Sequence, residues 1–385
     1  YGAFYGNEHL ATVQLPSTLN GIGNYAFGGC YNLNSINFPS SLQYIGDAAF
    51  LSTNISNVDL SACNSLTTIP GWAFQKCTVS NLLLPASIPT IQSYAFSICN
   101  NLTQVDWSGN TNLGTLEDYV FWRCDNLNSV KLPRSVNSIG YGNFLSCYKL
   151  TDISVAPDNP YFAATDAVLM NKDYTSLIAY APGKIANKYV VPATVTAIKD
   201  AAFRDCPYLT SIDAQNSQLV SIGLSAFNGT PLTEITLPGT VTFIANYAFR
   251  YCSELSTFKI YNPVPPALGT YVFQDASTSS CKLYVPKGAK ASYAAADQWN
   301  SFANTEEFII DGVENPDMTG LIISQQGGLL RISGVAVGET LRIYGLSGQL
   351  IASRKAETAI VDISLPEKGV YVLQVGTKSK RIIFK

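Results

Sequence analysis

Phenylalanine recurs along the chain at a nearly constant step: Phe4, Phe27, Phe50, Phe74, Phe96, Phe121, Phe144, Phe203, Phe227, Phe249 and Phe273. The steps are 22 to 25 residues, with one gap of 59 between Phe144 and Phe203. Five residues before each Phe, from Phe27 onward, stands Ile or Leu: Ile22, Ile45, Ile69, Ile91, Leu116, Ile139, Ile198, Ile222, Ile244 and Leu268. After most of them comes a segment close to Leu-x-x-Ile-x-Leu-Pro, clearest at 33–39, 127–133 and 232–238. Its apolar residues alternate, which predicts a strand with one buried face, and the closing Pro removes the next ladder donor. Each repeat therefore reads as a strand, a turn, a short second apolar segment reaching Ala-Phe, and a tight return. One coil cannot bury its own Leu, Ile and Phe, so neighbouring coils must stack into a solenoid with parallel strands along one side.

The 59-residue gap predicts two coils and an elaboration. Residues 153–155 and 189–192 read as successive strands, and between them 168–170 and 177–180 flank the polar turn 171–175, the pattern of a hairpin. Past Cys281, residues 282–286 form a last strand. Residues 289–299, rich in Ala and without Gly or Pro, predict a short helix capping the exposed end of the core, and 308–310 an added edge strand. Residues 311–320 lack apolar periodicity and carry Gly, Asn and Pro, so they read as a linker. Seven short alternating segments follow, at 321–324, 329–333, 341–344, 349–353, 359–363, 369–375 and 380–384, the mark of a small antiparallel sandwich. The domains expected are thus 1–310, a solenoid with its cap, and 321–385, joined by 311–320.

The unit Ile-Gly-x-x-Ala-Phe-x-x-Cys-x-x-Leu-x-x-Ile-x-Leu-Pro, seen at 22–39 with Phe38 in place of the last Leu, resembles the BspA-like subclass of leucine-rich repeats found on bacterial surfaces. The likeness covers residues 1 to about 303, including the variant Asn159-Pro160-Tyr161-Phe162 and the ending at 283–288. Residues 319–385, with Leu-Arg-Ile-Tyr-Gly-Leu-Ser-Gly at 341–348 and Leu-Pro-Glu-Lys-Gly-Val-Tyr at 365–371, are similar to the C-terminal sorting-type domains of secreted Bacteroidetes proteins. These resemblances imply a mostly β chain, a leucine-rich-repeat solenoid followed by a small antiparallel β-sandwich. They imply export and adhesion to a host or bacterial surface protein, and bring no catalytic residue or cofactor.

Composition adds bounds. With 47% hydrophobic and 13% charged residues the chain builds a large core. The net charge of −3 is unevenly spread: of 24 Lys and Arg, 9 lie in 319–385, against 4 of 27 Asp and Glu. The long part is acidic and shows no nucleic-acid footprint, and the basic charges of the tail alternate with apolar residues as on solvated strands. No apolar run is long enough to span a bilayer and no charged-then-apolar leader opens the chain. Because residues 1–4 already read as the end of a repeat, the expectation is that the sequence starts inside a longer precursor.

Cys30, Cys77, Cys99, Cys124, Cys147, Cys206 and Cys252 each stand three residues after a repeat Phe, so their spacing is the coil period. With no C-x-x-C pair and a single histidine, His9, a metal site lacks its usual ligands; buried reduced thiols are expected. No base stands near a nucleophile, so an enzyme is not expected. Asp59, Asp106, Asp152 and Asp213 occupy like positions in separate strands and could pair as glycosidase carboxylates, but repeated surface acids are usually solvated.

Two surfaces remain. The outward strand positions are polar and small, and Gln104, Asp106, Ser129, Lys131 and Asp152, in consecutive central coils, are the predicted ligand face for a protein partner. The alternative is an aromatic row two residues before the repeat Phe, formed by Tyr25, Trp72, Tyr94, Tyr119, Tyr247 and Tyr271. It is partly exposed on the opposite side and able to stack on a glycan or anchor a partner.

Overall fold

The computed structural model describes all residues except 106, 108–109, 309–320, 327, 346–348, 377 and 385. It forms two compact units, 1–308 and 309–385. The expected linker 311–320 and the residues 309–310 of the expected edge strand lie outside the described residues.

In the first unit the Leu-x-x-Ile-x-Leu segments are strands that pair in parallel and in register. Ser129–Leu132 runs beside Asp152–Val155, and further on Lys188–Val190, Ser211–Asp213, Glu234–Leu237, Thr257–Ile260 and Lys282–Pro286 follow one another. A second parallel ladder, unforeseen from the apolar pattern, joins two-residue strands that carry the Ile or Leu five before each Phe, such as Gly21–Ile22 with Tyr44–Ile45 and Ser221–Ile222 with Phe243–Ile244. Glycine at the head of the return has a steric reason at Gly223: a Cβ there would fall 2.6 Å from Asp200 N. The coils are thus close enough that only a hydrogen fits.

The repeat Phe side chains form one stacked column. From Phe4 to Phe144 successive centroids lie 5.2–6.5 Å apart with planes within 10° of parallel. The column then breaks. It resumes with Tyr180 against Phe203 at 5.2 Å and continues through Phe227 and Phe249 to Phe273. Tyr180 stands 23 residues before Phe203, so it takes the Phe place in the irregular coil. The hairpin expected in the gap is present as Val168–Asn171 with Ser176–Tyr180, and Phe162–Thr165 adds a third antiparallel strand. This meander enters the second ladder through Ser176–Tyr180, which pairs in parallel with Ala197–Ile198. It divides the apolar interior into two clusters, with Phe162 and Leu169 packed in the first and Val168, Met170 and Tyr180 in the second.

The far end is closed as expected. A helix over Lys290–Ala295 and a 3-10 turn over Trp299–Ser301 bury Tyr293 and Trp299. The Trp299 ring meets Phe258 and Phe273 edge-on, and its Nε1 donates to Pro266 O at 3.0 Å. An edge strand beside Lys282–Pro286 is Asn304–Phe308, earlier in the chain than the expected 308–310 and sharing only Phe308 with it.

The second unit contains two antiparallel sheets. Ile322–Gln326, Leu329–Ser333 and Ile360–Ser364 form one; Leu350–Lys355, Thr340–Gly345, Gly369–Val375 and Lys378–Phe384 form the other. Leu330, Ile332, Leu341, Ile343 and Leu373 fill the core between them. All seven strands fall on the alternating segments of the sequence.

Candidate functional site

The tight return is built from a second alternation, one of backbone conformation. Two residues before and two residues after the repeat Phe, the backbone is left-handed. Tyr247 (φ 58°) and Tyr251 (φ 60°) flank Phe249, and Trp72 (φ 55°) and Lys76 (φ 59°) flank Phe74. This alternation turns every second N–H along the solenoid axis. Tyr247, Phe249 and Tyr251 donate to Thr270, Val272 and Gln274 carbonyls of the next coil at 3.1, 2.9 and 3.0 Å, while Ala248 and Arg250 donate back within the turn. Left-handed non-glycine residues cost about 1 kcal/mol or more each, and a buried hydrogen bond contributes about the same. The turn holds because each strained residue has a rung to the next coil.

All six residues of the predicted aromatic row, Tyr25, Trp72, Tyr94, Tyr119, Tyr247 and Tyr271, occupy that first left-handed position. They are partly or fully exposed, Trp72 and Tyr271 most of all. All but Tyr25, which meets Tyr1 and Tyr5, pack ring on ring within the row. Trp72 stacks on Tyr94 at 5.7 Å, Tyr94 on Tyr119 at 4.8 Å and Tyr247 on Tyr271 at 5.8 Å, with planes within 14° of parallel. Tyr94 is covered on both faces, whereas Trp72 and Tyr271, at the ends of their stacks, have one face covered by the row and remain exposed. The Tyr119 hydroxyl is pushed up to about 12, chiefly by burial and then by Tyr141 and Tyr94, with Arg204 acting in the opposite direction.

On the strand side, Gln104, Ser129 and Asp152 lie in register across three coils and form one row, and Lys131 pairs with Ser154 in the next. Gln104, Lys131 and Asp152 are exposed, and Ser129 is half-buried. Asp106, the fifth predicted residue, lies outside the described residues. Of the other repeated acids, Asp59 accepts from Ser61, and Asp213 lies 3.6 Å from Lys188. Both are engaged locally on the face.

All nine cysteines are free and buried. Six of them have a part that spacing did not reveal: the thiols of Cys30, Cys77, Cys99, Cys124, Cys147 and Cys252 donate to the Phe carbonyl of the preceding coil, as Cys77 Sγ does to Phe50 O at 3.0 Å, Cys147 Sγ to Phe121 O at 3.1 Å and Cys252 Sγ to Phe227 O at 3.2 Å. Threonine does related work at Thr230, whose hydroxyl donates to Phe227 O within its own turn. Burial pushes Cys252 up to about 11 and Cys147 up to about 12 from 9.0, so neither thiol is a nucleophile at neutral pH. Among the described residues no three His, Cys, Asp or Glu gather as a metal site.

One further site was not foreseen. Between the turn of Phe144 and that of Phe203 lies a cavity of about 430 Å3, walled by Tyr141, Gly142, Phe144, Ile178, Lys199 and Arg204 among others. Across it Arg204 Nη1 donates to Tyr141 Oη at 3.2 Å and Ser146 Oγ to Asp205 Oδ2 at 3.4 Å. Buried polar atoms without a hydrogen bond sit on three residues of its wall: Asn143 Oδ1, Tyr180 Oη and Arg204 Nε, the last 3.5 Å from Asp205 Oδ2.

The architecture is that of a repeat solenoid in which side chains are presented at coil spacing. Residues 1–78, 60–165 and 181–293 match the model of the BspA-type leucine-rich repeat region, more than half of the chain, and the chain belongs to that family. No curated protein sequence matches it. Solved structures similar to it include a leucine-rich repeat protein from Eubacterium ventriosum, with 24% identity, 73% of this chain and 68% of that one covered and a TM-score of 0.49. Two others are the pneumococcal vaccine antigen PcpA (20%, 78% and 79%, 0.48) and a leucine-rich cell surface protein from Faecalibacterium prausnitzii (22%, 77% and 87%, 0.48). Among the described residues no helix is long and apolar enough to cross a membrane.

Proposed function

We propose that this chain is an exported cell-surface adhesin that holds a host or bacterial surface protein on the strand face of its solenoid, around Gln104, Asp106, Ser129, Lys131 and Asp152, with 321–385 as a sorting-type domain. The observation that carries this reading is the in-register row Gln104–Ser129–Asp152 beside Lys131. Side chains held at coil spacing let a large partner collect many weak polar contacts, and mixed charge on the row selects a partner by complementarity. The aromatic row supports a glycan less well, because sugar stacking needs open ring faces and in its central stretch Trp72, Tyr94 and Tyr119 cover one another in part.

The test is binding of the full chain to arrays of purified matrix and surface proteins and to a glycan array, repeated with Lys131→Glu/Asp152→Lys. Loss of protein binding by this folded variant, with Tyr94→Ala/Tyr119→Ala still binding, is the expected result. The opposite pattern makes the aromatic side the working surface, and silence on both arrays makes the chain a spacer.

A further inference from the structure

The turn of Phe144 departs from every regular turn before it. At Phe249, as at Phe27, Phe50, Phe74, Phe96, Phe203 and Phe227, the N–H of the Phe and of the residues two before and two after it all reach carbonyls of the next coil. Among the described residues the N–H groups of Gly142, Phe144 and Ser146 have no such partner. Gly142 (φ 67°) and Ser146 (φ 57°) keep the left-handed backbone, so the three donors retain the alternating conformation that elsewhere directs them outward along the axis. Gly142 and Phe144 line the cavity.

The facing wall shows the complementary gap. Regular turns accept at the positions three before, one before and one after the Phe; for Phe203 these are the carbonyls of Asp200, Ala202 and Arg204. Tyr180 N donates to Ala202 O at 2.8 Å, while Asp200 O and Arg204 O receive no backbone donor among the described residues. The reason is visible in the irregular coil. Two residues after Tyr180 stands Pro182, which has no N–H to give, and two before it Ile178 is inside the strand Ser176–Tyr180 and forms no turn. The meander replaces the inner part of a coil and omits its outer turn.

We propose that the cavity between the Phe144 and Phe203 turns is a docking site for an extended peptide segment carrying an acidic residue, which supplies the missing outer turn. One wall offers donors at alternate residues and the other offers acceptors. A simple anion satisfies the donors alone and water can pair with either wall without fixing any spacing, whereas a polypeptide backbone carries both groups in fixed alternation. In every regular coil the occupant of this position is polypeptide. The acidic side chain follows from Lys199 and Arg204 on the wall; Arg204 Nε lies 3.5 Å from Asp205 Oδ2, a residue that does not line the cavity. The Asp200 carboxylate is already engaged, accepting from Leu224 N at 2.7 Å. An alternating αR-αL backbone with free N–H groups is itself an anion-seeking concavity. This site lies on the turn ladder and is independent of the strand-face reading.

Random peptides displayed on phage are selected against the full chain, with counter-selection against Ala179→Trp, which fills the cavity floor. Peptides rich in Asp or Glu are expected. A synthetic copy should protect 141–147 from hydrogen exchange in the native chain, and Arg204→Gln should weaken its binding at least about tenfold while Tyr247→Ala leaves it unchanged. In the free chain 141–147 should exchange faster than 247–251. The exchange and Arg204→Gln arms stand even where Ala179→Trp does not fold. The proposal is overturned by a selection that yields no such peptide, by protection that falls elsewhere, by binding indifferent to Arg204→Gln, or by equal exchange of the two turns in the free chain. A protein partner lost on the strand-face variant while no peptide seats here overturns this site alone.

Discussion

The turns of Phe249 and Phe144 have nearly the same local design and opposite outcomes. Each has a left-handed residue two before the Phe and another two after, an Ile five before and a Cys three after. At Phe249 three N–H groups find carbonyls in the next coil; at Phe144 none does. Phe249 is stacked on both sides, by Phe227 at 5.2 Å and Phe273 at 5.7 Å, whereas Phe144 has Phe121 on one side at 6.5 Å and the cavity beside it. The difference teaches that a coil's hydrogen bonding and packing are completed by its successor. A turn followed by an irregular coil becomes an internal end of the solenoid. The turn of Phe273 is also an end, and among the described residues its outward N–H groups, of Tyr271, Phe273 and Asp275, likewise find no backbone carbonyl, but there Gln298 Oε1 accepts from the neighbouring Val272 N and Phe302 packs on the ring.

The comparison breaks or sharpens first on stability. Phe249→Ala removes a ring from a stack closed on both sides and should cost about 3 to 5 kcal/mol. Phe144→Ala enlarges an existing cavity and should cost less, about 1 to 3 kcal/mol, since the cost depends on the void created. Denaturant unfolding of the two variants measures both; equal losses would mean the Phe144 turn is as fully supported as the other.

The alkaline limb of stability comes next. Cys252 and Cys147 hold their protons up to about 11 and about 12 in the folded chain, through burial, against 9.0 for a free thiol. Where the folded chain keeps protons that the unfolded chain loses, rising pH favours unfolding. Their contribution is therefore intact below pH 9.0 and is lost as pH rises through about 11 to 12. Replacing either by Ser should flatten the decline measured by unfolding above pH 9.0; an unchanged slope would mean the thiols do not govern it. In the same protein, a thiol reagent at neutral pH should label the native chain poorly and the unfolded chain nearly completely without reductant. Fewer than half the thiols appearing on unfolding would show bridges in solution.

The smallest effect is expected on the strand face. Asp152→Lys changes an exposed side chain and should alter stability by no more than about 0.5 kcal/mol. A larger loss would make Asp152 part of the scaffold, and the binding test above would then need a different residue.

The aromatic row marks the line between legible and hidden. Its period and its partial exposure followed from counting residues back from each Phe. That Tyr94 and Trp72 sit in left-handed backbone, and that their rings stack on one another, did not follow, because φ and ring packing depend on the coil stacked alongside. The same holds for the cysteines. Their burial could be expected from a spacing equal to the coil period, but their hydrogen bonds to the Phe carbonyls of the coil before could not.

The amino-acid sequence by itself determined the repeat, the parallel strands with their buried Ile and Leu, a short cap helix within 289–299 and the seven strands of the C-terminal unit, since each depends on apolar periodicity local to a few residues. Only the tertiary structure decided what happens in the 59-residue gap. The hairpin was legible, but the place of Tyr180 in the Phe column and the rungs left open at Gly142, Phe144 and Ser146 were not. Pro182 could be read as a missing donor only once the coil that needs that donor was known to lie against it. Local pattern specifies which face of a coil is buried, whereas the pairing of its backbone is a property of two coils together.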